Sequence, residues 1–168
     1  MPLHLEMTTY TGPDSHEAKA REAVAWLERL VNSAQFRTKV ESVRRFKYNE
    51  GLSSRRVYNR LMTGDHGGAG DLDAERTVAF HYNVVPGEDG SVVGYRTRGT
   101  SNIATYENRF VELELDDLVS HLAHEVIGHL AGEFSHPRLR WRGRGRSVPY
   151  TVDRIVEELA EDGVGAPS

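Results

Sequence analysis

The apolar residues of this chain change period twice, and the order of those changes sets the class of fold. After Gly12-Pro13 they recur at helical spacing. Ala20, Val24, Leu27 and Val31 share one face, and Asp14 or Ser15 can cap it. Asn32-Ser33 ends that helix and caps a second one carrying Phe36, Val40 and Val43. Asn49-Glu50-Gly51 reads as a turn, and Ser53 caps a short third helix with Val57 and Leu61. Residues 64–70 form a glycine-rich loop. The period then shortens. Residues 77–85 are rich in β-formers, 86–90 (PGEDG) make a turn, 92–95 return as a second strand, and 99–102 are another loop. Val111, Leu113 and Leu115 alternate with Glu112 and Glu114, which predicts a half-exposed strand. Helical spacing resumes behind Asp116-Asp117 with Leu118, Val119, Leu122, Val126 and Leu130, and Gly132 is a natural stop. After a basic loop at 138–146, Thr151 can cap a last helix carrying Val152, Ile155, Val156 and Leu159.

Helices, a small mixed sheet, then helices describe an α+β domain. The 168 residues suit one such domain and are too few for two well-cored ones. Residues 1–13 and 164–168 are expected to be flexible tails. The N-terminus has no basic segment leading into an apolar run, so no secretory signal is read and a cytoplasmic location is expected. No run reaches the roughly 18 apolar residues of a membrane span. A net charge of −4 argues against nucleic-acid or anionic-membrane binding by the surface as a whole.

The chain has no cysteine and eight histidines, so a transition-metal site would have to use imidazole and carboxylate. His121, His124, His129 and His136 fall in one segment, SHLAHEVIGHLAGEFSH. A helix that binds zinc through two histidines places them one turn apart. It carries a Glu beside the first, positioned to take a proton from an activated water. A glycine stop and a third histidine complete the longer pattern, His-Glu-x-x-His-x-x-Gly-x-x-His. Removing Gly128 and Glu133 from this segment leaves HEVIHLAGFSH, which matches every fixed position. In a regular α-helix the five-residue step from His124 to His129 would leave the rings about 140° apart. A one-residue π-bulge restores the register, and Gly128, lacking a Cβ, suits such a distortion. A second set stays open: His121, Glu125 and His129 form a stripe on a regular helix, with His136 as an outside ligand and Glu125 as a ligand rather than a base.

The segment resembles the active-site helix of the zincin metallopeptidases, most of all the three-histidine metzincin form. Further pieces are similar to small bacterial and phage zincin-like proteins. They are Tyr58-Asn59-Arg60-Leu61-Met62-Thr63-Gly64, Val92-Val93-Gly94-Tyr95 and Ser147-Val148-Pro149-Tyr150, in that order around the HE helix. The resemblance implies a zincin-like single domain with N-terminal helices, a small mixed sheet, an active-site helix and a C-terminal helix. It implies a zinc-dependent peptidase in which His124, His129 and His136 hold Zn2+ and Glu125 is the general base. The SVPY segment is similar to the astacin-like turn below the metal, although it lacks the usual Met. Tyr150 is then an extra ligand or an oxyanion donor, or simply a core residue. Zincins usually carry an edge strand above the cleft, for which residues 109–115 are the candidate.

Partners follow from the same reading: a peptide or protein substrate, and an acidic partner for Arg138, Arg140, Arg142, Arg144 and Arg146. Nucleic acid and membrane are not expected. The alternative is a catalytically inactive zincin-like domain that binds metal or a partner.

Overall fold

Leu3, Leu5 and Met7 alternate with His4 and Glu6, and that period-2 pattern becomes a strand. In the computed structural model, which describes residues 2–87, 93–136 and 143–168, the expected N-terminal tail is β1 (Leu3–Thr11). Its buried residues pair in parallel with β2 (Arg76–Val85), Leu5 beside Val78 and Met7 beside Phe80. Proximity in sequence could not reveal this pairing, because the partner lies some seventy residues downstream.

The rest of the sheet follows from β2. β4 (Asn102–Tyr106) runs parallel to it, and the short β3 (Gly94–Arg96) pairs antiparallel with β4, giving the order β1-β2-β4-β3. β4 carries Ile103, Ala104 and Thr105, all buried, and begins inside the segment expected to be loop.

The free side of β1 is closed by side chains from α1 (Asp14–Val31) and from Asn32, which caps its end. The Leu3 amide donates to Asn32 Oδ1 at 2.8 Å, and the Leu5 amide donates to Glu28 Oε2 at 2.7 Å. Polar side chains thereby occupy an edge that would otherwise template another strand.

α1 packs against β1 and α5, burying Ala20, Val24, Leu27, Leu30 and Val31. Ser33 caps α2 (Ala34–Ser42) by accepting from the Phe36 amide, and Ser53 caps α3 (Ser54–Thr63) by accepting from the Arg56 amide. The half-exposed strand expected at 111–115 is not present. Residues there form α4 (Glu107–Glu112), a two-residue link, and the start of α5 (Leu115–Leu122). The apparent alternation arises because three apolar residues sit in three different settings: Val111 is 62% exposed, while Leu113 and Leu115 are partly buried against the core. Phe110, one residue earlier, is the one that enters the core.

The last helix, α6 (Val148–Glu161), begins three residues before Thr151, with Ser147 in the cap position and Pro149 in its first turn. It packs against α5 and against the segment that follows α5. The expected C-terminal tail is also tied down at its start. Trp26 Nε1 donates to the Val164 carbonyl at 2.8 Å and Arg29 Nε donates to the Gly165 carbonyl at 2.7 Å. The molecule is thus a mixed α+β domain with six α-helices and a four-stranded sheet among the described residues. No helix among them is long and apolar enough to cross a membrane. Most of the 86–90 turn, Val92 of the VVGY segment, and Arg138, Arg140 and Arg142 of the basic loop lie outside the described residues.

Candidate metal centre

Directly after α5 the helix widens. Residues Ala123–Ala131 form a π-helix, in which hydrogen bonds close from each residue to the fifth before it. The Gly132 amide shows this spacing at the exit, donating to the Ile127 carbonyl at 3.0 Å. A five-residue step is a little over one turn of such a helix, so His124 and His129 return to nearly the same side. The expected one-residue bulge is therefore a run of π-helix spanning nine residues.

Gly128 serves a purpose other than backbone freedom. A Cβ built on it would stand 2.7 Å from Pro149 Cα and 2.8 Å from Pro149 Cβ. The glycine lets the first turn of α6 lie directly against the π-helix. The SVPY segment and the extra glycine, which look unrelated in sequence, are two sides of one contact.

The second extra residue, Glu133, takes the left-handed conformation, φ 51, while Gly132 keeps a right-handed one. Gly132 is needed for space, because a Cβ there would meet Leu61 Cδ2 at 2.7 Å and Phe134 Cδ2 at 2.8 Å. Arg60, 1% exposed, holds this turn from α3. Its Nε donates to the Gly132 carbonyl at 2.7 Å and its Nη2 to the Glu133 carbonyl at 3.1 Å. Its Nη1 pairs with Glu50 at 2.7 Å, and the guanidinium lies over the Phe134 ring at 4.1 Å.

The turn brings His136 back onto the helix. His124, His129 and His136 each offer a nitrogen, and these atoms lie within 4.8 Å of one another, so the three could hold one metal ion. His124 Nε2 and His136 Nε2 are 3.3 Å apart. The other nitrogens of the first two rings are already committed. His129 Nδ1 donates to the Phe134 carbonyl at 2.6 Å, and His124 Nδ1 faces Asp153 Oδ2 of α6 at 3.0 Å. A ring that donates through Nδ1 presents Nε2 as a lone pair, the form a metal requires. Burial pushes the His124 and His129 rings down to about 3, His136 and Arg144 adding to the effect on His124, which keeps both neutral.

Glu125 is buried beside His124, and burial raises its carboxyl to about 7 against the opposing charge of Arg96. Burial also raises Asp153, to about 7. Tyr150 lies against the cluster, its ring centre 4.5 Å from that of His124 and 5.0 Å from that of His136. Its hydroxyl is raised by burial and receives a hydrogen bond from Arg144.

His121 is not part of the three-histidine group. Its Nε2 lies 3.1 Å from Thr105 Oγ1, which in turn contacts the Tyr82 hydroxyl at 2.7 Å. The alternative set of His121, Glu125 and His129 presupposes a regular helix, and the π-helix removes that stripe. His121 instead faces the sheet.

These residues line a cleft of about 1220 Å³ together with β3. Arg96 of β3 reaches across it and donates through Nη1 to the His129 carbonyl at 3.2 Å. Asp153, Arg96 and Arg60 are the contributors that sequence reasoning missed. Asp153 had a usable signal, since it lies three residues after Tyr150 and so on the same face of the last helix. Arg96 and Arg60 had none, because their roles depend on where distant backbone carbonyls fall. No family model matches the chain, and comparison with curated proteins and with solved structures likewise gives no match.

Proposed function

We propose that this protein is a zinc-dependent metallopeptidase of the zincin type. The observation that carries the reading is the three-imidazole group with Nδ1 of two rings already bonded, next to a buried Glu125. Three histidines without cysteine suit zinc and leave a ligand position open, as in catalytic rather than closed structural sites. When bound, the ion supplies Lewis acidity, polarising a carbonyl and lowering the pKa of a water.

The chain's own residues do the rest. Glu125 accepts the proton of the attacking water at its carboxylate and returns it to the leaving amine. Asp153 holds the His124 ring through Nδ1, and the Phe134 carbonyl does the same for His129. Tyr150 offers its hydroxyl to the oxyanion that develops on the carbonyl. β3, rather than residues 109–115, is the edge strand beside the cleft, and an extended peptide can add to it.

The test is a pair of measurements on zinc-loaded protein. Glu125→Gln is expected to keep one equivalent of metal and to lose cleavage of a mixed quenched-fluorescence peptide library by about 100-fold or more. Wild-type protein that holds zinc and cleaves nothing would instead identify a catalytically inactive metal-binding domain. Equal rates for wild type and variant would remove Glu125 from the mechanism.

A further inference from the structure

The charges lining the cleft are not evenly satisfied. Of its carboxylates, Glu133 faces His66 at 3.2 Å, Asp153 faces His124 at 3.0 Å, and Glu125 is buried at the metal cluster. Asp117 sits exposed at the rim, in the first turn of α5. The arginines are different. Arg96, Arg98 and Arg144 all line the cleft, and none makes an ion pair among the described residues. Arg96 is committed to backbone, donating to the carbonyls of Thr100 and His129. Arg98 is exposed.

Arg144 is held in place by its hydrogen bond to the Tyr150 hydroxyl, yet one of its donors is left without an acceptor. Its guanidinium lies 4.8 Å from the centre of the Tyr150 ring, and that ring packs against His124 and His136. Its Nε is buried and has no hydrogen-bond partner. A buried charged donor without an acceptor is costly unless something supplies one. Gly143, with φ 90, turns the chain immediately before it, and the short 3-10 turn Arg144–Arg146 leads from there into α6. The stacked guanidinium thus has little freedom to lose on binding a partner.

We propose that Arg144 binds a carboxylate of the substrate, so that the peptides this cleft prefers carry an acidic group next to the bond that is cut. The inference rests on the metallopeptidase reading for the identity of the ligand as a peptide. The chemistry is that of the planar guanidinium, which accepts a carboxylate through two parallel N–H···O bonds. The carboxylate can be an Asp or Glu side chain or the free C-terminus of the peptide.

Binding, not turnover, provides the test. Zinc-loaded Glu125→Gln protein is titrated with three dansyl-labelled peptides of one neutral sequence. One is amidated, one is amidated and carries a single Asp, and one has a free C-terminal carboxylate. One of the two acidic peptides is expected to bind about tenfold tighter than the neutral one, the size of a single charged hydrogen-bonded contact. Which of them does so identifies the source of the carboxylate. Adding Arg144→Gln should bring that peptide to the affinity of the neutral one and leave the neutral one unchanged, with Arg144→Lys in between. Equal affinity for all three peptides, no binding by any, or a preference that survives Arg144→Gln overturns the proposal. If Arg144→Gln does not fold, Arg144→Lys and added salt decide, since both must weaken the acidic peptide selectively. Wild-type protein that binds the acidic peptide and never cuts it would sink the peptidase reading and leave the carboxylate site standing.

Discussion

Replacing Gly128 by Ala separates two effects that usually travel together. In a helix, Gly→Ala by itself gains about 1 kcal/mol. Here the new methyl would stand 2.7 Å from Pro149 Cα, whereas relaxed carbon contacts are about 3.5–4.0 Å. α6 must therefore retreat from the π-helix by roughly 1 Å, at an overpacking cost of about 1–3 kcal/mol. The net loss of stability is about 0–2 kcal/mol, a fall in melting temperature of no more than about 8 °C for a domain of this size. The site should suffer more. Asp153 rides on α6, and its 3.0 Å contact with His124 Nδ1 cannot survive a shift of that size as a hydrogen bond. Loss of such an outer carboxylate costs about 10–100-fold in metal affinity. The assay is zinc competition against a chromophoric chelator, with melting curves recorded with and without zinc. Gly128→Ala should melt near wild type without metal and gain much less from added zinc. A variant that binds zinc within about twofold of wild type would refute the idea that the Gly128–Pro149 contact sets the Asp153–His124 geometry.

Other expectations are as specific. Asp153→Asn should weaken zinc binding by about 10–100-fold, measured by the same competition, while leaving the helical circular-dichroism signal intact. Arg60→Met removes the donors to the Gly132 and Glu133 carbonyls. At about 1–3 kcal/mol for each carbonyl left without a partner, calorimetry should show a drop of roughly 5–20 °C. Burial lowers the His121 ring to about 3, so it stays neutral in the fold. The unfolded chain takes up that proton as pH falls through about 6.5, so this histidine costs stability from there downward. His121→Asn should therefore lose less melting temperature than wild type between neutral pH and about pH 5; an equal or steeper loss would contradict the assignment.

What the sequence made legible was whatever depended on local pattern. Ser33 and Ser53 announce their helices because a hydroxyl accepting from the amide three residues on is a local bond. The three-histidine cluster was legible too, since spacing along one helix and one turn determines it, provided the extra Gly128 is read as a widened helix. β1 was missed although Leu3, Leu5 and Met7 alternate, because a terminal strand exists only through a partner far along the chain. Residues 109–115 were misread because chance alternation across a helix end mimics a strand. Arg96 and Arg60 became visible only when the distant carbonyls they donate to had been placed.

The π-helix also links two positions twenty-one residues apart in how they can vary. Its wide turn and the close approach of Pro149 are accommodated together by the missing side chain at Gly128. In a relative with the ordinary four-residue spacing, the helix narrows and the surface facing α6 rotates. The glycine and the proline then have no common purpose, and they should be exchanged as a pair rather than one at a time. A relative that keeps both should keep the five-residue spacing as well, so the three features serve jointly as a signature for tracing this kind of site in other chains.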